Sequence, residues 1–323
     1  MATPRVILIT AASGHIGQSL IPLLAKDSTT KLILPTSNAT SLKSRIASYH
    51  VSHPENIIVA EGSIKNPIWF QSLLQTHSVD TVFLCLTGED ELFTTFNCYD
   101  AMSRVKSAKK LIYLSAQADF ATTEGAQEVL RHHSAAHVVV KILGEQKLIH
   151  ANLPFAWTVL RPTLFFINDL RAKQSMLDHG VFPEPLDEVG SSKVAPWDIA
   201  LAVKNLVSDE TSRWNGKQVA IGSLKAYKRS EIAQIWSNAL GRKITMRTDD
   251  EQGLQEFEDH FYSQAGSDAG AAWARDLRLM FQTFAETGFG MNEDEYRLQV
   301  ELLGQEPDDY EAWVRKTASS WLS

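Results

Sequence analysis

Short apolar runs and amphipathic stretches alternate through the first half of the chain. RVILIT (5–10), KLILPT (31–36), NIIVAEG (56–62), VDTVFLCL (79–86) and KLIYLS (110–115) are near-continuously apolar, which predicts strands buried on both faces. Helix-period segments lie between them. From Ile16, the residues Ile16, Leu20, Leu23 and Leu24 fall on one stripe. NATSLKSRIASY (38–49) predicts a second amphipathic helix. NPIWFQSLLQTH (66–77) predicts a third, with Asn66 as N-cap and Pro67 at the first helical position. A fourth helix is expected over 93–108, a fifth over roughly 136–151, and then the strand FAWTVLRP (155–162). Alternation of this kind, with right-handed crossovers, predicts an α/β fold built on a doubly wound parallel sheet.

The second half is less regular. GVFPEPLDEVGSSK (180–193) is rich in turn residues, and APWDIALAVKNLVSD (195–209) predicts a helix with Ile199, Val203 and Leu206 on one face. KQVAIGS (217–223) reads as a strand. KRSEIAQIWSNALGRKITMRT (228–248) reads as a helix stopped near Gly241 and then a strand, and beyond 250 the pattern is mainly helical. This predicts a Rossmann-type domain over 1–162, with a return segment at about 194–225. A smaller, mainly helical α/β domain for substrate or a lid is expected over 163–193 and 226–323.

Composition narrows the function classes. The net charge of −7, with no Lys/Arg-rich run, argues against a surface that neutralises nucleic-acid phosphates and leaves a protein partner open. The two cysteines, Cys85 and Cys98, make no disulfide framework and lack zinc-ligand spacing, so no metal is expected and a reducing compartment is. The N-terminal MATPRVILIT enters a strand at once, and no apolar run approaches the ~20 residues of a membrane span. The expectation is a cytoplasmic protein with no membrane contact, a monomer or homodimer.

The strand-to-helix turn TAASGHIG (10–17) carries the first candidate chemistry. A helix N-terminus offers free N–H groups and partial positive charge, a seat for pyrophosphate if the backbone can come close. Thr10, Ala11, Ser13, Gly14, His15 and Ile16 are the candidate phosphate-binding residues, with Gly17 as the glycine for helix-to-strand packing. Ala11 stands where a first glycine is usual. It is costly if that position needs a positive φ and costs nothing if the backbone there is extended.

Segments along the whole chain resemble the NmrA-like family of atypical short-chain dehydrogenase/reductases. They are TAASGHIG; EGSIKNPIWFQSLL; DTVFLCLTG and KLIYLSA; VKILGEQKLIHANLPFAWTVLRPTLFFIND with its Lys, Glu and Arg-Pro-Thr; APWDIALAV and GKQVAIGS; and LLGQEPDDYEAWVRKTASSW near the end. The resemblance implies a Rossmann fold that binds a dinucleotide, usually NADP. It also implies one of two roles: reduction of a small molecule such as a quinone or iminium compound, or regulation by a cofactor-binding protein without turnover.

After the second strand, LPTSNATSLKSR has no acid to hold a ribose 2′-hydroxyl, which favours NADP(H) while NAD(H) stays possible. Ser37 and Asn38 are the candidate donors there, with Lys43 or Arg45 further on. Leu86, Thr87 and Gly88 end the fourth strand at the carboxyl edge, where ligands bind. In the short-chain dehydrogenase plan a Ser ends the fifth strand, and a Tyr and Lys lie four apart on the next helix. Here Ser115 and Lys141 take two of those places, and His137 stands where the Tyr would. His137 can in principle supply a proton near neutrality, or it is a plain helix residue. Lys141 and Glu145 are also spaced four apart, as a helical pair would be. Pro162 and Thr163 are candidates for the nicotinamide pocket, and Phe165, Phe166 and Asn168 for the substrate pocket; the two Phe residues also fit a core. The aromatic stripe Trp273, Leu277, Phe281 and Phe284 fits either a lid or core packing.

Three functions fit this sequence. The first is an NADP(H)-dependent reductase of a small carbonyl, quinone or imine substrate. The second is a cofactor-sensing regulator that binds a protein partner. The third is a non-redox tailoring enzyme, such as an isomerase, dehydratase or cyclase, on the same fold.

Overall fold

The structure is a computed structural model that describes residues 5–86, 88 and 90–323. The first half folds as β1 (Arg5–Ile9), α1 (His15–Leu24), β2 (Thr30–Thr36), α2 (Ala39–Ala47), β3 (Ile57–Glu61), α3 (Pro67–Thr76), β4 (Thr81–Cys85), α4 (Glu91–Arg104) and β5 (Lys110–Leu114). Then come α5 (Thr123–His132), α6 (Ala136–His150), β6 (Ala156–Pro162), β7 (Leu164–Phe165), α7 (Lys173–His179), β8 (Val181–Phe182) and β9 (Ser191–Val194). The remainder is α8 (Pro196–Ser208), β10 (Lys217–Ile221), β11 (Ala226–Tyr227), α9 (Arg229–Leu240), β12 (Thr245–Met246), α10 (Glu251–Ala265), α11 (Asp268–Thr287), α12 (Glu293–Leu303) and α13 (Tyr310–Leu322).

The chain forms two compact units, one of residues 1–116, 140–161 and 196–219, the other of 117–139, 162–195 and 220–323. The first holds a seven-stranded sheet in the order β10-β6-β5-β4-β1-β2-β3. The pairs from β3 through β6 are parallel. Gly216 donates to the Trp157 carbonyl at one end of β6 and Thr163 to the Ile221 carbonyl at the other, so β10 runs the same way. The order reverses between β1 and β4, which makes that crevice at the carboxyl ends the ligand-binding position of a doubly wound sheet.

Burial explains the strand sequences. Leu8, Ile33, Val82, Leu84, Leu111 and Val159 are wholly buried on one core with Phe70, Leu74 and Tyr99 from α3 and α4. Asn66 caps α3, its side chain accepting from the Ile68 and Trp69 N–H groups at 3.1 and 3.2 Å. On α1 the inward face is Ile16, Leu20, Ile21 and Leu24. Leu23 is only half-buried, and Ile21 takes the place expected for it. α5 was not legible in the hydrophobic pattern because Val129 is its only buried residue. It is held instead by Thr122, whose hydroxyl accepts from the Gly125 N–H at 3.0 Å.

The second unit has its own core. Trp236, Tyr310, Phe166 and Phe182 are fully buried there. At its centre Asp169 accepts from Lys193 Nζ at 3.0 Å, from Trp236 Nε1 at 3.1 Å and from the Tyr310 hydroxyl. A buried carboxylate is tolerated because each of these donors answers it. The stripe on α11 is core: Leu277, Phe281 and Phe284 are buried, and Phe281 meets Phe257 of α10 edge-on at 5.1 Å.

Candidate functional site

The turn after β1 is built from both strands that flank the crevice. Thr10 reaches across to β4, its Oγ1 accepting from the Cys85 N–H and donating to the Cys85 carbonyl, both at 2.9 Å. The Thr10 hydroxyl is thereby engaged in fixing the turn. The chain then reverses, with Gly14 N–H donating to the Ala11 carbonyl at 3.1 Å. Among the described residues the non-glycines with positive φ are His50, Ser78 and Ser212, so Ala11 adopts an ordinary backbone and its methyl carries no conformational cost.

Gly14 is the N-cap of α1, extended at φ −83 and ψ 176, and makes no side-chain cap. Gln18 N–H makes the first helical bond, to the Gly14 carbonyl at 2.9 Å, so the N–H groups of His15, Ile16 and Gly17 have no acceptor within the helix. Ser13, Gly14 and His15 are exposed and Ile16 is buried. A Cβ placed on Gly14 meets only the Ala11 carbonyl, at 3.5 Å, so the space above the turn is open. Arg45, on α2, brings its guanidinium to this turn and donates to the Ser13 carbonyl at 3.1 Å. Asn38 accepts from the Ser41 N–H at 2.8 Å and so caps α2, while Ser37 beside it is exposed.

At the end of β4, Leu86 is half-buried and Gly88 has φ +117, a conformation that favours glycine. Thr87 lies outside the described residues. Glu91 opens α4 and is buried, and Lys141 of α6 pairs with its Oε1. The Lys141 ammonium also lies 3.5 Å from the Leu114 carbonyl and 5.5 Å from the centre of the Tyr113 ring. Burial pushes the Cys85 thiol up to about 11, with Lys141 drawing it partway back, and burial lifts the Cys98 thiol to about 12. Both cysteines are therefore poor nucleophiles at neutral pH.

Glu145 does not pair with Lys141. It is fully buried and takes a forked ion pair from Arg161, whose Nε lies 3.2 Å from each carboxylate oxygen. Burial raises the Glu145 carboxyl, while Arg161 and the adjacent Ser115 hydroxyl favour its charged form. Ser115 is buried and its N–H donates to the Leu160 carbonyl at 2.8 Å, holding the end of β5 on β6.

His137 pairs through Nδ1 with Asp276 of α11, and Asp276 also accepts from the Ala136 N–H, capping the start of α6. Burial works against the Asp276 charge, but His137 and the backbone N–H groups outweigh it and lower that carboxyl. Nearby, His133 has a buried Nδ1 with no hydrogen-bond partner. Desolvation first, then His137 and His132, bring its pKa down from 6.5 to about 4. The folded chain then binds fewer protons than the unfolded chain between those values. The stability tied to His133 is full above pH 6.5 and is lost as pH falls toward 4. His133→Leu is expected to flatten the dependence of the denaturation midpoint on pH in that window, by up to about 1.4 kcal/mol per pH unit. An unchanged slope assigns the acid sensitivity elsewhere.

In the second unit, Pro162 accepts from the Gln117 N–H at 3.0 Å. Thr163 donates from its N–H to Ile221 at 3.0 Å, and its hydroxyl lies 3.3 Å from that of Ser192 and packs on Gly222. Phe165 and Asn168 are half-buried, whereas Phe166 is fully buried against Tyr310 and Trp313 at 5.2 and 5.6 Å. Among the described residues no group of three His, Cys, Asp or Glu side chains is arranged to hold a metal, and no helix is long and apolar enough to cross a membrane.

A parallel sheet in this order, with an uncapped glycine turn after its first strand, defines a Rossmann-like fold. The chain belongs to the NmrA-like family, which it matches over residues 3–313. Similar solved structures include an NADPH-dependent quinone oxidoreductase from Escherichia coli, at 18% identity and a TM-score of 0.73 over 98% of this chain and 100% of that one. A triphenylmethane reductase from Citrobacter is 18% identical, with a TM-score of 0.71 over 98% of this chain and 99% of that one. A double mutant of NmrA is 15% identical, with a TM-score of 0.68 over the full length of both chains. At these identities the likeness concerns the fold. Curated proteins returned no match.

Proposed function

We propose that this protein is an NADP(H)-dependent reductase of a small organic substrate of carbonyl, quinone or imine type. The observation that carries the proposal is the amino end of α1: uncapped, open above Gly14, with Arg45 held beside it. The N–H groups of Ser13, His15 and Ile16 would take the pyrophosphate. Arg45 stands on the helix after β2, on the side where a 2′-phosphate is discriminated from a 2′-hydroxyl, and no acid precedes it there. Lys141, charged against Glu91 at the ends of β4 and β5, would hold ribose hydroxyls. A bound nicotinamide supplies a hydride. Solved structures of similar fold are described as a quinone oxidoreductase in complex with NADPH and a triphenylmethane reductase in complex with NADP(H).

NADPH fluorescence is expected to change saturably on titration with the protein, with NADH binding more weakly. Arg45→Ala should weaken NADPH by about tenfold and leave NADH unchanged, since the residue sees only the extra phosphate. Absence of saturable binding sinks the proposal.

One observation favours the second role, a cofactor-sensing regulator. His137, four residues before Lys141, is committed to Asp276, and the Tyr113 hydroxyl beside Lys141 is buried with its acidity strongly suppressed by that burial. Neither is a ready proton donor. Turnover on a panel of small quinones, aldehydes and imines separates the roles, because hydride transfer to a quinone or iminium carbon leans least on such a donor.

A further inference from the structure

Gln117 carries an acceptor whose direction is fixed by its neighbours. Its side-chain nitrogen donates to the Gly290 carbonyl at 3.2 Å and to Glu295 Oε1 at 3.1 Å. Both partners are acceptors. The other carboxylate oxygen of Glu295 already accepts from the Asn292 N–H at 2.8 Å, in the capping box of α12. The amide therefore cannot be turned over without setting oxygen against oxygen twice. The consequence falls on Oε1, which is buried and has no hydrogen-bond partner in a residue only 7% exposed.

The backbone places this group. Ser115 N–H donates to the Leu160 carbonyl and Gln117 N–H to the Pro162 carbonyl, so the chain keeps its pairing past β5 and bends at Gln117. Gln117 thus lies beside Pro162, the last residue of β6. A buried acceptor left unmet is unfavourable, and native proteins meet nearly all of theirs. We propose that Gln117 is a ligand-binding residue, its Oε1 accepting a hydrogen bond from an N–H or O–H donor on a small molecule held beside it. The donor is either the carboxamide of a nicotinamide cofactor or a hydroxyl, amine or amide of a second ligand. The cofactor alternative rests on the reductase proposal; the other does not.

Matched pairs that differ only in the donor test this. The first pair is NADP and its 3-acetylpyridine analogue, which replaces the carboxamide by a methyl ketone. The second set is hydroquinone against its dimethyl ether and benzamide against N,N-dimethylbenzamide, followed by ligand-observed NMR. Wild-type protein is expected to favour the donor-bearing member of at least one pair by about three- to tenfold, and Gln117→Leu and Gln117→Met to abolish that preference. Preference within the first pair assigns the cofactor as donor, and within the second set a second ligand. The proposal is overturned if wild type discriminates in neither, as when a buried water alone meets Oε1, or if a folded variant keeps the preference. The wild-type measurement needs no variant to fold. Loss of all NADP binding refutes the reductase proposal while the aromatic pairs still judge Gln117.

Discussion

Lys141→Met is expected to destabilise the folded protein by about 3–5 kcal/mol, because it strands the Glu91 carboxylate in the interior. Both side chains are almost wholly buried, at 6% and 2% exposure, and Glu91 Oε2 has no hydrogen-bond partner even in the intact pair. Removing the ammonium leaves a desolvated charge that must either stay unpaired or take up a proton. Lys141→Met combined with Glu91→Gln removes the charge with its partner and should recover most of the loss, since a neutral buried pair of similar volume is often no less stable than the ionic one. Urea midpoints of the two single variants and the double variant close the cycle. NADPH titration of the double variant then divides structure from function. If Lys141 holds the cofactor, the double variant is stable and still binds poorly. Restored binding makes the pair purely structural.

The same pair shows where sequence stops being informative. Lys141 and Glu145 stand four apart, as a helical ion pair would, but the structure gives each its own distant partner: Glu91, 50 residues from Lys141, and Arg161, 16 from Glu145. The reason is that this face of α6 is buried. Lys141 and Glu145 both point inward, where each charge needs a close, well-aligned counter-charge from another element. His137 follows the same logic through Asp276, 139 residues away. Spacing reports which residues share a face, and it does not report what that face meets.

The seven strands of the large sheet, α1, α3 and α8 were legible because their apolar period matches their burial, whereas the short strands β7, β8, β9 and β11 were not singled out. Asn66 and Gly241 marked helix ends through local chemistry alone. Glu91 was missed because an acid in the first turn of a helix reads equally as a solvated residue favoured by the helix dipole. Arg45 was named only as one of two basic residues beyond the second strand, and only its contact with the Ser13 carbonyl ties it to the glycine turn. Gln117 gave no signal at all, since an amide acquires direction only from its neighbours.

Gly17→Ala is expected to disable the nucleotide turn, while Gly14→Ala leaves the fold intact. A Cβ on Gly17 would lie 2.4 Å from the Ala11 carbonyl oxygen and 2.5 Å from that of Ala12. These are backbone atoms of the turn, which Thr10 ties to β4, so they cannot yield as a flexible side chain would. Separating α1 from the turn should cost about 1–3 kcal/mol in overpacking strain and displace the N–H groups, abolishing NADPH binding. Gly14 differs in kind. Its added methyl would meet only the Ala11 carbonyl at an ordinary 3.5 Å, and its backbone is extended. Gly14→Ala should therefore unfold at the same urea concentration as the parent, yet raise the NADPH dissociation constant about tenfold or more by standing where phosphate approaches. Ala11, already an alanine at no conformational cost, shows that the turn accepts a methyl at that position. Steric exclusion of a ligand would then be the reason for glycine at 14, and helix packing the reason at 17. If Gly14→Ala binds NADPH as tightly as the parent, the open space above the turn is not a phosphate seat, and the uncapped end of α1 has no cofactor to explain it.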